Sequence, residues 1–522
     1  MKSGRFPLHA RRYSDAIGAA FGDTFRYQYV VSEKALDIPE FEEKPFDGLH
    51  IYHCPELPAA RIVTRAGQPL GWLLGRAFGL AGVPINHQHV VDLGSEPRSI
   101  ESGLNEWLTS LSGRFVVLLN FTECGVSVSR AYMDAFASLG LVYEPTDRIF
   151  ASSLLLALQR DIDPHPLFQL PDYAREFEEL AGLIPETDPD TVAFPCCFGE
   201  TFDANAKRLL SNHFLNLDTF EMKRWYPGGN AELNVSDAAD IIVHRLSQTL
   251  LGLLSQPESG YLAISGGLDS RMVAAAAPDG FGKKFCYYSY ADNWMSGIDV
   301  QLANMLAETV NSPFFGQASP ENRRQSFFRR KRAEHRVRKR AAISSGFHTV
   351  GDRWWTKGYF RGLDKGALWL RGNGLEIVSA RLWTPTLDAP LRKGTRHALR
   401  RLGYPSEDTR QFALVFDKFI DWYRTLPEHC TQVYHDMWYQ ELFLSYGQAS
   451  FHAMNEQFYL APASDQIVMA AARSVRPEER RNLDLFKRIL AKARPALLEI
   501  PTTREVRGAR KAAKMSLDET AV

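Results

Sequence analysis

The first 225 residues carry short runs of apolar and β-branched residues, separated by polar turns. Such runs are typical of strands, and the clearest of them are LHIYHC, ARIVT, HVVDL, RFVVLLNF and GVSVS. The stretch 141–161 predicts paired strands followed by a helix, and 212–227 predicts a second strand pair. The pattern therefore predicts a strand-rich first domain that spans residues 1–225.

The second half follows a different pattern. Pro227, Gly228 and Gly229 interrupt the strands and predict a linker. Residues 235–256 place apolar side chains at helical spacing, and alternating strands and helices follow from Tyr261 onward. This order predicts a parallel sheet with helices on both faces, and a helical part begins near residue 405. We expect this second domain at 235–505 and a flexible tail at 506–522, where apolar periodicity is lost.

Composition narrows the class of protein. A chain of 522 residues predicts two or three domains, and 45% hydrophobic with 23% charged residues is ordinary for a soluble globular protein. Zero formal net charge gives no bulk attraction to nucleic acid or to an anionic membrane. The first residues lack the apolar core of a secretory signal, and Arg76 interrupts the longest apolar stretch, 68–85. These features predict a cytoplasmic protein without a membrane partner.

The cysteines do not form a recognisable site in the sequence. There are six of them, and no two have the CxxC spacing of zinc and redox motifs. We therefore expect reduced thiols in the interior rather than disulfides or a metal centre.

The segment with the most chemical information is 261–276, which reads as a short strand, the turn SGGLDS and a helix. Gly266 and Gly267 let the backbone bend sharply and approach a ligand, and Ser270 is predicted to cap the helix. Helix amides that point into the turn favour an anion. Asp269 would repel a phosphate there unless a cation lay between them, which favours Mg²⁺. The alternative is a glycine turn that binds nothing.

The turn SGGLDS does not match the P-loop pattern GxxxxGK[ST]. Between an apolar strand and an apolar helix, it instead resembles the pyrophosphate loop of the N-type ATP pyrophosphatases. The resemblance implies an adenine nucleotide alpha hydrolase-like α/β fold and cleavage of ATP between its α and β phosphates. It implies that the departing pyrophosphate is held by Ser265, Gly266, Gly267, Leu268, Asp269 and Ser270.

The first half also resembles a known domain. The stretches GRFVVLLNF, IFASS and LLSNHFLNLDTFEMKRWYP are similar to the amino-terminal domain of asparagine synthetase-like proteins. In the members that use glutamine, this is a glutaminase with the α+β sandwich of the Ntn hydrolases. Its nucleophile is a cysteine directly after the initiator methionine, where this chain has Lys2. The resemblance therefore implies a degenerate glutaminase-like domain that serves for packing or partner contact.

A second glycine turn, at 372–374, follows the predicted strand ALWL. It resembles the Gly-Glu-Gly-x-Asp-Glu stretch of asparagine synthetases. The resemblance places Glu376 at the aspartate that binds Mg²⁺, and Gly372 and Asn373 in the nucleotide site. Asn373 falls at the first glutamate and Ile377 at the last, and an asparagine cannot act as a base. These two departures argue against plain conversion of aspartate to asparagine.

Three further segments extend the resemblance. Ser289 and Tyr290, at the end of the second strand, correspond to the part of the family's site that contacts adenosine. Pro462 and Asp465 match a proline–aspartate stretch of the family. Lys487 takes the position of a helical lysine, and a lysine there can neutralise charge on the α-phosphate during transfer.

The expected activity is that of an asparagine synthetase-like ligase that forms an amide bond. A small-molecule or peptide carboxylate would be adenylated by ATP with Mg²⁺ on Asp269 and Glu376, and ammonia or a substrate amine would then attack. Lys487 and Glu376 are the predicted catalytic residues. Without glutamine hydrolysis, a role in natural-product, peptide-modification or polysaccharide biosynthesis is favoured over asparagine supply.

Two alternatives stay open. Asn373 and Ile377 favour a nucleotide-binding pseudoenzyme or scaffold. The basic stretch 323–340 suggests an enzyme that modifies RNA as a second alternative. Zero net charge, however, disfavours nucleic acid as a partner. A solvated or partner-facing helix is the preferred interpretation of that stretch.

Overall fold

A computed structural model describes most of the chain, and every structural statement below concerns that part. The described residues are 8–38, 40–92, 99–186, 196–226, 232–291, 294–318, 327–348, 362–384, 386–387, 389–404, 409–454 and 456–509. Several predicted segments fall partly outside them: the linker residues 227–231, the start of the basic stretch and the end of the tail, 510–522.

The described residues form a mixed α/β structure with three sheets. The first half forms two of them, and their strands pair antiparallel except for one parallel pair. The six-stranded sheet contains Tyr29–Ser32, Glu42–Phe46, Leu49–His53, Val142–Glu144, Ile149–Ala151 and Lys207–Arg208. The seven-stranded sheet contains Ala59–Thr64, Pro69–Phe78, Gln88–Val91, Ser112–Glu123, Val126–Met133, His213–Asn216 and Glu221–Arg224.

The long strand Ser112–Glu123 contributes side chains to two hydrophobic cores, one on each face of its sheet. Its residues alternate between the two faces of the sheet, and both faces are apolar. Val116 and Leu118 join the main core, whereas Val117 and Leu119 join a smaller core on the opposite face. The helix Ile100–Ser110 packs on that second face, which explains a strand that is apolar throughout.

The second half is built on a five-stranded, fully parallel sheet. In spatial order its strands are Phe314–Ala318, Phe285–Ala291, Gly260–Ala263, Leu368–Leu370 and Phe458–Leu460. The strand before the turn SGGLDS lies in the middle. Because parallel sheets bind ligands beyond the carboxyl ends of their strands, this order places both glycine turns at the same edge.

Helices account for most of the remaining described chain. Those of the first half are Leu8–Ala16, Phe21–Thr24, Ile100–Ser110, Leu154–Ala157 and Asp172–Arg175. Those of the second half are Val235–Ser255, Asp269–Ala276, Trp294–Thr309, Phe327–Ser344, Leu391–Leu402, Arg410–Arg424, Glu428–Thr431, Tyr434–Trp438, Ser445–Ala449, Gln466–Arg473, Pro477–Arg481, Asp484–Ala493 and 503–509. A π-helical turn, Tyr439–Leu444, lies within the helical part.

The predicted parallel sheet and the long helix before it are confirmed. The part predicted to be helical after residue 405 is mostly helical, but it also contains the strand Phe458–Leu460, which was not predicted and forms the edge strand beside Leu368–Leu370. The apolar stretch 68–85 contains a strand, Pro69–Phe78, and no helix among the described residues has the length and apolarity to cross a membrane. All six cysteines are free thiols. Four of them are buried as predicted, but Cys124 is exposed and Cys286 is half-buried.

Buried polar contacts join the two halves. Arg114 donates to the backbone oxygens of Ser138 and Tyr459, at 3.0 and 3.4 Å. Ser464 donates a hydrogen bond of 2.7 Å to Asp134, which is itself fully buried. Since a broken buried polar contact is costly, these bonds hold the first half in a fixed position against the parallel sheet.

Candidate functional site

A cavity of about 380 Å³ opens beyond the carboxyl ends of the strands Gly260–Ala263, Phe285–Ala291 and Leu368–Leu370. Ligands of parallel sheets bind at this position. The lining residues are Ala263, Ile264, Ser265, Gly267, Asp269, Ser270, Tyr288, Ser289, Tyr290, Ser296, Asp299, Trp369, Arg371, Gly372, Asn373 and Glu376. The structure therefore brings both glycine turns and the end of the second strand around one space.

The first turn is held by its own serines. The Ser265 amide donates to the Ser270 hydroxyl at 3.1 Å, and the Gly267 amide donates to the Ser265 hydroxyl at 3.2 Å. The prediction that Ser270 caps the helix is wrong. The helix begins at Asp269, its N-cap position is Leu268, and no side chain caps it. Ser270 lies inside the first helical turn, where its hydroxyl fixes the start of the glycine turn.

The second turn touches the first one through its backbone. At Gly372, a Cβ atom would lie 2.6 Å from both the carbonyl carbon of Asp269 and the amide nitrogen of Ser270. No side chain fits in that space, so glycine is required for the two turns to approach. Gly374 has a left-handed φ of +92°, and a Cβ there would collide with the ring of Phe136. Phe136 belongs to the first half, which thus supports the second turn directly.

Two carboxylates face the same cavity. Burial and the charge of Glu376 raise the pKa of Asp269 well above its usual value, although Arg381 and Arg371 act in the opposite direction. The Glu376 Oε2 atom accepts hydrogen bonds from the Gly374 amide at 2.9 Å and from the Tyr439 hydroxyl at 2.5 Å. Both bonds use one oxygen of Glu376 and fix the orientation of its carboxylate.

This pair of carboxylates fits a magnesium ion that is shared with a polyphosphate. Mg²⁺ is usually held by one or two carboxylates together with phosphate oxygens and water. A cation between Asp269 and Glu376 would also remove the repulsion that raises the pKa of Asp269. The described residues contain no cluster of three or more His, Cys, Asp or Glu side chains suited to a metal, so a cage made of protein alone is not formed there.

The walls of the cavity are aromatic on the side of the second strand. Tyr288 stacks on Phe315 with ring centroids 5.8 Å apart, and the Tyr290 ring lies 6.3 Å from that of Tyr288. The guanidinium of Arg371 lies over the Trp369 ring at 5.2 Å. An aromatic wall and a cation at the opposite turn are suited to a ligand with a flat ring and negative charge.

Some predicted residues lie outside the lining of the cavity. Gly266 is buried against Thr503 and Leu302, and the half-buried Leu268 packs against the main core, so both shape the turn from behind the cavity. The Lys487 ammonium donates to the backbone oxygen of Asn482 at 3.3 Å on an exposed helix face. Asp465 is a fully buried N-cap that pairs with Arg245 at 2.7 Å, which makes it a structural residue.

Sequence reasoning missed several residues of this region. Ser296 and Asp299 line the cavity from the helix that follows the second strand. The polar positions of that helix gave a signal, since the first turns of such a helix adjoin the ligand crevice. Thr503 and Arg271 support the turn from behind through contacts that are distant in sequence, and no local pattern marks them.

No protein-family model matches the chain, and no curated protein is similar to it in sequence.

Proposed function

We propose that the protein is an ATP-dependent ligase that forms an amide bond by way of an acyl-adenylate. The observation that carries the proposal is the cavity itself. Nine residues that the resemblance marks, in three separate segments, line it together. They are Ser265, Gly267, Asp269, Ser270, Ser289, Tyr290, Gly372, Asn373 and Glu376.

The proposed fold assignment goes with this function. The parallel sheet with a ligand cavity at the carboxyl ends supports an adenine nucleotide alpha hydrolase-like domain at 235–505. The two mostly antiparallel sheets support a degenerate Ntn-hydrolase-like domain at 1–225. Lys2 in place of the nucleophilic cysteine implies that ammonia or an amine, not glutamine, supplies the nitrogen.

The proposed reaction has two steps. A substrate carboxylate attacks the α-phosphorus of ATP, and the bond to the bridging oxygen breaks so that pyrophosphate leaves. The nitrogen nucleophile then attacks the acyl carbon, loses a proton and displaces AMP. Ser265, Gly267 and Ser270 hold the pyrophosphate, and Asp269 with Glu376 would hold Mg²⁺, which screens the phosphate charge. Lys487 stays a predicted contributor to the transfer step.

A nucleotide-binding pseudoenzyme is the second candidate. Asn373 lines the cavity where the resemblance expects a glutamate, and the Lys487 ammonium is bonded to Asn482 outside the lining. Such a protein would bind Mg-ATP without releasing pyrophosphate in the presence of any acid. The RNA-modifying alternative loses support, because Arg338, Lys339 and Arg340 on the basic helix Phe327–Ser344 form ion pairs within the chain.

Asp269→Asn tests the proposal, with the fully exposed Asp279→Asn as the matched control. The raised pKa of Asp269 shows that its site favours an uncharged side chain, so the asparagine variant should fold at least as stably as wild type. Mg-ATP should raise the Tm of wild type and of the control but not of Asp269→Asn. ATP–pyrophosphate exchange with a panel of carboxylic acids should occur in wild type and in the control and be lost in Asp269→Asn. Exchange at the wild-type rate in Asp269→Asn would refute the assigned role.

A further inference from the structure

Arg271 is a buried cation directly behind the first glycine turn. It lies on the helix Asp269–Ala276, and only 1% of its surface is exposed. Its guanidinium donates to the backbone oxygens of Leu497 at 3.2 Å and Pro501 at 3.0 Å, and also to that of Ile500. A weaker bond of 3.5 Å reaches the oxygen of Gly266 within the turn. One side chain therefore joins the turn to the segment 497–501.

No carboxylate among the described residues lies within ion-pair distance of Arg271. Two other buried arginines are neutralised, Arg245 by Asp465 and Arg480 by Asp436, each at 2.7 Å. Arg114 resembles Arg271 in donating to backbone oxygens. A buried charge without a partner is costly, and backbone dipoles offset only part of that cost. The charge of Glu505 acts on Arg271 from beyond ion-pair distance. The guanidinium itself is held by backbone oxygens, in a place that adjoins a predicted anion site.

The segment 497–503 forms the rear wall of the turn. The Thr503 amide donates to the Gly266 oxygen at 2.9 Å, and the Thr503 hydroxyl bonds to Asp299, which lines the cavity. A Cβ on Gly266 would lie 2.3 Å from the Thr503 hydroxyl oxygen, so the glycine turn and the segment 497–503 are in direct contact. The shape of the turn therefore depends on whether this segment stays docked.

We propose that Arg271 is the positioning residue of the anion site. It docks the segment 497–503 behind the glycine turn and provides a buried positive charge for the phosphate groups bound in front. The identity of the anion as a pyrophosphate group rests on the proposed function. The docking role rests on the contacts alone.

Two substitutions separate the docking role from the charge. Arg271→Lys keeps the charge but loses the fork of donors that reaches three backbone oxygens at once. Arg271→Met removes both. The matched control is Arg114→Lys, because Arg114 is also 1% exposed and donates to the backbone oxygens of Ser138 and Tyr459. Arg114 does not line the cavity.

Hydrogen exchange without any ligand tests the docking role. The Thr503 amide is bonded to Gly266 and the Gly267 amide to Ser265, so both report on the turn. Each should exchange about tenfold faster in Arg271→Lys than in wild type and at an unchanged rate in Arg114→Lys. Equal protection of both amides in Arg271→Lys and wild type would overturn the docking role.

Calorimetric titration with magnesium pyrophosphate tests the charge. Affinity should fall about tenfold in Arg271→Lys and about a hundredfold in Arg271→Met, and stay unchanged in Arg114→Lys. Wild-type affinity in Arg271→Met would overturn the charge role. If Arg271→Met does not fold, Arg271→Gln, which also removes the charge, takes its place, and wild-type affinity in that variant overturns the charge role. If wild type binds neither pyrophosphate nor ATP, the proposed function fails with the charge role, and hydrogen exchange still decides the docking role.

Discussion

Gly372→Ala is a small change that should separate the folding of this protein from the formation of its cavity. Gly372 lies against the peptide between Asp269 and Ser270, and an added Cβ would be 2.6 Å from two of its backbone atoms. Its φ is not in the left-handed region, so alanine meets no conformational penalty of its own. The effect of the substitution therefore comes from the contact between the two turns.

The size of the effect follows from the distance. Ordinary van der Waals contact begins at 3.4 Å, so one turn must move by about 0.8 Å relative to the other. Overpacking of this kind costs about 1–3 kcal/mol. The movement also separates Asp269 from Glu376, and a misplacement of about 1 Å in a site costs about a hundredfold in activity. We expect a modest loss of stability with a ten- to hundredfold loss of Mg-ATP affinity.

The assay is titration of Mg-ATP, with Tm measured in parallel. Gly447→Ala is the matched control, since a Cβ at Gly447 meets no atom within 4 Å and the residue lies in the helix Ser445–Ala449. The control should retain wild-type affinity. Wild-type affinity in Gly372→Ala as well would show that nucleotide binding does not depend on the close approach of the two turns at Gly372.

Other predictions concern charge and pH. Arg371→Met should lower Mg-ATP affinity about tenfold, because this cation lines the cavity; unchanged affinity in a titration would exclude Arg371 from nucleotide binding. Lys487→Met should leave that affinity unchanged and confine any loss to the rate of pyrophosphate exchange, because its ammonium is bonded to Asn482. Burial lowers the pKa of His435 to about 4, so the unfolded chain binds an extra proton between about pH 6.5 and 4. The free energy of unfolding should therefore fall by up to roughly 3 kcal/mol as the pH drops through this window, and denaturation of His435→Gln should show a flatter slope; equal slopes would contradict this.

Much of the fold could be predicted because its signals are local. The helix Val235–Ser255 and the strand Ser112–Glu123 are long, and their apolar periodicity is unambiguous. The strands Phe314–Ala318 and Phe458–Leu460 were missed. The second has three residues and is fully buried, and such a short apolar run cannot be told from part of a helix by periodicity. Only its parallel pairing with Leu368–Leu370 defines it.

The candidate site shows the same division between local and distant signals. Turn residues such as Gly267 and Gly372 could be identified because the turn itself is a pattern in the sequence. Ser270 was assigned to the wrong hydrogen bond, since the exact start of a helix is set by geometry that the sequence does not fix. Arg271 and Thr503 act across more than 200 residues of chain, and their roles appear only when the segment 497–503 is seen against the turn.

The first half of the chain has a physical role in shaping the cavity. Phe136 fills the space in front of Gly374, so the second turn is shaped by a residue of the first half. Asp134, in the same loop, accepts a hydrogen bond from Ser464, four residues after the edge strand of the parallel sheet. Removal of the first half would expose these contacts and leave buried polar groups without partners. The two halves are therefore coupled physically, because a residue of the first half holds the second turn of the cavity in shape.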